Sequence, residues 1–221
     1  YGVLTMINFA HGDVFMVGAF LALAAATALG LPFVPVLLLA MFGAALLGVT
    51  IERVAYKPLR NAPRVSAIIT ALGVGIFLEN VMLAIHPYPK PVPALMSVTT
   101  WTVAGVSLSS LQALIIVLSL ALMLGLDFLV YRTKVGMAMR AISWDRSVVP
   151  LMGVPVNRIV SVTFGLGAGL AGAAGTLYAL AYPVIDPYMG IMVGWKAFIC
   201  AVVGGIGNIR GAMIGAFILG A

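Results

Sequence analysis

Charge is what this sequence has least of. Only 8% of its residues are Asp, Glu, Lys or Arg, against about 25% in an ordinary globular domain. A soluble protein could not clothe its surface with so few polar groups, and 63% of the residues are hydrophobic, so the chain reads as an integral membrane protein. Acids are scarcer than bases, six against twelve. The resulting charge of +6 is read as a signal of membrane orientation rather than of nucleic-acid binding. One cysteine, Cys200, within an apolar run, excludes a disulfide framework and a cysteine-built metal cluster. The two histidines, His11 and His86, are far apart on no shared motif, so no metal site is expected. No Ser-His-Asp or paired-carboxylate constellation stands out, and the chain is not expected to be an enzyme. No signal peptide is visible. The chain begins at Tyr1 and ends at Ala221 inside an apolar run, which reads as a single transmembrane domain over 1–221, truncated at both ends.

Long apolar runs are what the sequence has instead. About 20 such residues cross the hydrocarbon core as a helix. Spans are expected at Val14–Leu29, Phe33–Ile51, Ala67–Ile85, Leu111–Tyr131 and Ile159–Ala181, with a further pair around Lys196–Val203 and Gly211–Ala221. A barrel would need short alternating segments, which are missing. The predicted fold class is therefore an all-α polytopic helical bundle. Alternate loops are basic: Arg53, Lys57, Arg60 and Arg64 in one, Arg132, Lys134, Arg140, Arg146 and Arg158 in another, against Lys90 alone in 86–110. Basic loops face the cytoplasm. The proline-rich stretch 86–110 faces outward and is predicted to form an ordered cap rather than a helix.

Glycines number 25, and several recur at four-residue spacing: Gly165 with Gly169, Ala168 with Gly172, Ala171 with Gly175, and later Gly207, Gly211 and Gly215. Small residues let membrane helices approach closely; the same smoothness would let them slide. "VVGGIGNIRGAMIG" lacks the Gly-Lys-Ser/Thr of a phosphate loop and reads as a broken or re-entrant helix, tolerated at membrane depth only where protein or a cavity surrounds it.

Polar residues near the spans are few. Asn8 and His11 are read either as lining a substrate cavity or as hydrogen-bonded glue between helices. Asp13 is read chiefly as a cap for the helix that follows. Glu79 is the one carboxylate well inside a predicted span, and an intramembrane charge faces a partner or water. Asp127 is expected to snorkel to the interface. The candidate substrate-pathway residues are Asn8, His11, Glu79, Gly204, Gly205 and Asn208.

The stretch "AMRAISWDRSVVPLMGV" is a polar island on the cytoplasmic side. It predicts a short helix from Ser143 as N-cap to Gly153 as stop, with Asp145 at its positive end. The apolar residues Trp144, Val148, Leu151 and Met152 are directed at a partner groove, the alternative being the lipid headgroups. Pro150 inside that helix would remove a backbone hydrogen bond.

"MINFAHGDVFMVGAF", "IERVAYKPLR", "GMAMRAISWDRSVVPLMGV" and "VIDPYMGIMVGWKAFICAVVGGIGNIRGAMIGAFILG", in this order, resemble the permeases of branched-chain amino-acid ABC importers, and within them the shorter permease of the pair. The resemblance implies a multi-pass protein of the bacterial inner membrane. Its partners would be a second permease, two cytoplasmic ATPases, a periplasmic substrate-binding protein and membrane lipid. No cofactor is implied in this chain, ATP and Mg residing on the ATPases. It also implies that the polar island docks into an ATPase, through Arg140, Ala141, Ser143, Trp144, Asp145, Leu151 and Gly153. Trp144 departs from the family's usual small or polar residue. The competing readings are a urea or short-amide importer of similar build, an ion-coupled secondary transporter or channel, and a structural scaffold.

Overall fold

The computed structural model describes residues 9–60, 62–103, 106–146 and 148–220. The described residues form eight α-helices: α1 (His11–Ala28), α2 (Phe33–Ile51), α3 (Arg64–Ile85), α4 (Ser110–Arg132), α5 (Lys134–Trp144), α6 (Val156–Ala181), α7 (Met189–Val203) and α8 (Ile209–Gly220). Five segments are long and apolar enough to cross a membrane: α1, α2 with its continuation to Leu59, α3, α4 and α6. All five predicted spans are present, each starting within three residues of expectation; α2 matches at both ends. Beyond Ile51 the helix loosens into a π turn, Glu52–Tyr56, and a 3-10 turn, Lys57–Leu59.

Helix α1 is the axis of the bundle, and α2 and α6 clasp it. The clasp is made of small residues, because in lipid it is close backbone approach that rewards association. A Cβ on Gly172 of α6 would stand 2.7 Å from both the Ala40 carbonyl oxygen and the Ala44 Cβ of α2. On the other side, a Cβ on Gly18 of α1 would stand 2.5 Å from the Gly172 Cα. Gly165 and Gly169 face Val49, Ala45 and Met41 of α2, and Gly175 faces Phe15 and Ala19 of α1. The repeat read from the sequence is a three-helix seam. By contrast, no residue of α4 is buried: it is apolar all round, as a helix bathed in lipid can be.

Caps explain two boundaries. Ser109 and Gln112 form a reciprocal capping box at the start of α4, at 3.1 and 3.0 Å. The Thr133 hydroxyl accepts the Gly136 N–H (3.1 Å), so the chain bends between α4 and α5. In α5, Gly136, Met139 and Ile142 are buried at three-residue spacing, which makes this helix amphipathic where the spans are not. The outward loop contains a hairpin of β2 (Thr100–Val103) and β3 (Val106–Ser109), and β1 (Lys90–Pro91) pairs antiparallel with β4 (Val184–Ile185). The expected ordered cap is thus pinned to the segment just before α7.

The broken helix is a hairpin of two short helices. Gly205 (φ 91°) and Gly207 (φ 92°) turn the chain between α7 and α8, a conformation glycine adopts without steric cost. Gly204 abuts Gly211, and Gly215 abuts Cys200.

Candidate functional site

Two groups of residues stand out, one at the cytoplasmic end and one inside the bundle. The cytoplasmic group is the elbow after α5. Helix α5 runs on through Ser143, whose hydroxyl donates to the Arg140 carbonyl at 2.7 Å. Ser143 is therefore not the N-cap expected of it. The Asp145 Oδ1 accepts the Val148 N–H at 3.3 Å, closing the turn ahead of the short helix, whose N-cap position falls on Val148 with no side-chain cap bond. The short helix that follows is a 3-10 turn, Val149–Met152. Pro150 lies in its first positions, where a missing N–H costs nothing, so the expected loss of a helix hydrogen bond does not arise. Gly153 stops it in the left-handed conformation (φ 75°), as predicted. Val149 and Ile142 are buried beneath the elbow. On its outside Trp144 is 93% exposed, Leu151 86% and Met152 77%. Ala141 is half-buried on α5. Arg140 lies over the Tyr131 ring, 5.3 Å from its centre.

The elbow rests on a polar network that the sequence reading missed. Glu52 is fully buried and accepts hydrogen bonds from Arg60 and from the Ser161 hydroxyl (2.7 Å). Arg60 also donates to Asn157. The loop after α2 is thereby tied to the start of α6. Burial and the nearby Arg60 charge hold the Arg146 guanidinium below its ordinary range, with Glu52 pulling the other way. The signal in the sequence was Glu52 itself, a lone acid beginning the basic "ERVAYKPLR".

The intramembrane group begins with Asp13. It lies in the first turn of α1, but the N-cap position belongs to Ala10, which has no side-chain cap bond. The Asp13 carboxyl meets its own backbone N–H and the Glu79 side chain of α3. A Cβ on Gly75 would strike it, and one on Gly190 of α7 would lie 3.0 Å from it. Glu79 therefore has an acidic partner inside the bundle, not the interface. His11 is exposed at the start of α1, near Gly167 of α6. Asn8 lies outside the described residues.

The structure does not bring Gly204, Gly205 and Asn208 to this group. Gly190 touches Asp13, and Gly204 is fourteen residues further along α7, roughly 21 Å at 1.5 Å per residue. Asn208 is an N-cap, its side chain accepting the Gly211 N–H at 3.1 Å. The hairpin tip is held at the cytoplasmic end by Arg210, whose guanidinium meets Asp127 of α4 at 3.1 Å through two bonds. Asp127 was expected to snorkel; it holds the tip instead. Among the described residues no three His, Cys, Asp or Glu side chains cluster to hold a metal.

Comparison with known proteins agrees with this architecture. The chain is 42% identical to the high-affinity branched-chain amino acid transport system permease protein BraD of Pseudomonas aeruginosa, over its full length and 76% of the relative. It is 40% identical to the corresponding LivH of Escherichia coli K12, with the same coverage. A probable branched-chain amino acid transport permease LivH of Methanocaldococcus jannaschii is 30% identical over 96% of this chain and 69% of its own. No solved structure matches significantly. The family described as "Branched-chain amino acid transport system / permease component" matches residues 1–221, and the chain, an apolar bundle with a basic elbow and a small-residue clasp, belongs to that family.

Proposed function

We propose that the protein is the membrane-embedded permease of an ATP-driven importer of branched-chain amino acids, a multi-pass protein of the inner membrane. It forms the translocation path with a second permease. It receives substrate from a periplasmic binding protein and is moved by two cytoplasmic ATPases, which bind ATP and Mg themselves. The names and identities of its relatives support the substrate class. The observation that carries the ATPase reading is the elbow: Trp144, Leu151 and Met152 stand exposed on the basic side of the bundle, on a backbone fixed by Asp145 and Gly153. Large apolar side chains presented in this way mark a protein contact, and aromatic anchors dominate such contacts.

The mechanism follows from that attachment. ATP binding changes the relation between the two ATPases, and an elbow seated on each moves with it. The elbow transmits the change only if it is held differently in the two states. Its ties to the bundle are the buried faces of Ile142 and Val149 and the Glu52–Arg60 network. Within the bundle, His11 and Glu79 remain the candidate polar contacts for substrate, and Arg140, Ala141 and Ser143 the frame of the docking surface.

The test is co-purification and uptake. The importer expressed with its ATPases should lose them on Trp144→Ala combined with Leu151→Asp, while the permease stays folded and membrane-inserted. Leucine uptake into proteoliposomes should be lost in parallel. ATPases retained on the doubly substituted protein would overturn the docking reading; wild-type proteoliposomes that ignore leucine but carry urea or an amide would overturn the substrate class.

A further inference from the structure

Of the twelve basic residues, all but Lys90 and Lys196 lie in the cytoplasmic loops or at the hairpin tip held to Asp127. Lys90 is in the outward loop. Lys196 alone is placed within the bundle, seven residues from each end of α7, roughly 11 Å from either at 1.5 Å per residue. Helix α7 itself connects the outward cap, through β4, to the cytoplasmic tip.

The side of α7 that meets α1 is the stripe Gly190, Gly194 and Phe198, against Gly12 and Phe9. Lys196 is two residues on from Gly194, about 200° round the helix, and is exposed. Its neighbours on that side, Met192 and Ile199, are exposed and apolar; Trp195 packs instead against Phe9 and Phe198. A lysine facing hydrocarbon at this depth is costly, and such residues face a water-filled cavity or a counter-charge. Among the described residues no acid is paired with Lys196. Glu52 is engaged by Arg60, Asp127 by Arg210, and Asp13 and Glu79 by each other. Asp145 and Asp186 accept the N–H groups of Val148 and Tyr188.

We infer that Lys196 is a substrate contact on the translocation path, receiving the carboxylate of the amino acid while Met192 and Ile199 receive its aliphatic side chain. One cation in an apolar wall matches a ligand with one carboxylate and a hydrocarbon side chain. This rests on the proposed substrate class.

The experiment uses the assembled importer in proteoliposomes, with Cys200→Ala removing the native thiol and Lys196→Cys introducing one. Leucine uptake should fall about tenfold or more, the loss of one charge-assisted hydrogen bond. Aminoethyl methanethiosulfonate, forming a mixed disulfide and releasing methanesulfinate, should restore a cation and recover uptake. The sulfonatoethyl reagent should react without recovery. Leucine should slow both reactions. Lys196→Arg should retain more uptake than Lys196→Gln. The inference is overturned if the cysteine resists both water-borne reagents, if Lys196→Gln transports normally, or if Lys196→Gln releases the second permease, which would make the lysine an intersubunit tie. Wild-type importer that takes up no leucine would overturn the proposed function instead.

Discussion

Arg210, in the first turn of α8, grips both carboxylate oxygens of Asp127 on α4, at 3.1 Å through Nε and through Nη2. A cation at a helix N-terminus opposes the helix dipole, so Arg210 is poorly placed for α8 alone and Asp127 compensates it. Arg210 also lies 5.9 Å from the centre of the Tyr131 ring, the ring that Arg140 of the elbow helix covers from 5.3 Å. Hairpin tip, lipid-facing helix and elbow therefore meet at one aromatic ring.

The first prediction concerns this meeting point. Arg210 is 72% exposed, and exposed pairs contribute little to stability. Asp127→Asn should therefore leave thermal unfolding almost unchanged while lowering uptake. Asp127→Arg with Arg210→Asp should recover more uptake than either change alone; no recovery would sink a role for the pair.

Glu52 supplies the second prediction. Removing its partner through Arg60→Met leaves a fully buried carboxylate without its cation, a loss on the order of 3–5 kcal/mol. Ser161→Ala removes one hydrogen bond to a charged acceptor, about 1.5–3 kcal/mol. Thermal unfolding in detergent should rank Arg60→Met as the more damaging. Equal or reversed losses would mean that the network does not hold the loop.

The clasp gives a third. Gly172→Val forces two methyl groups between α2 and α1 and should destabilise by about 1–3 kcal/mol, or abolish accumulation in the membrane. Gly73→Val, with nothing within 4 Å of the position, should cost less than 1 kcal/mol. Detergent-extracted yield and unfolding temperature separate the two.

Gly153 gives a fourth. Its φ of 75° suits glycine and is tolerated by asparagine, whereas a β-branched residue there is strained. Gly153→Val should weaken ATPase retention in co-purification, and Gly153→Asn should retain most of it. If Val and Asn behave alike, the left-handed turn is not what aims Leu151 and Met152.

How far these features were legible depends on the range of the interaction behind each. Span positions follow from local hydropathy, and α2 begins and ends where the pattern says. The stop at Gly153 is a local backbone rule and was also legible. The cap expected at Ser143 does not form, because helix α5, buried through Met139 and Ile142, extends past it and the short helix starts from Val148 with no side-chain cap. Glu52 went unnoticed because one of its partners, Ser161, is 109 residues away. The place of the Gly204–Asn208 turn was not legible for a related reason: glycine content announces a turn but not the end of the bundle at which it lies.

The amino-acid order by itself determined that this is a lipid-embedded helical protein, where its helices lie, which loops are basic and where glycine permits close approach. These depend on transfer free energy and backbone sterics, which act on neighbours in the chain. Only the tertiary structure decided that Gly172 is clasped from two sides, that Asp13 meets Glu79, that Arg210 holds Asp127 and that Lys196 faces away from α1. Those outcomes depend on which helix faces are apposed, and side chains far apart in sequence become neighbours only when the bundle closes.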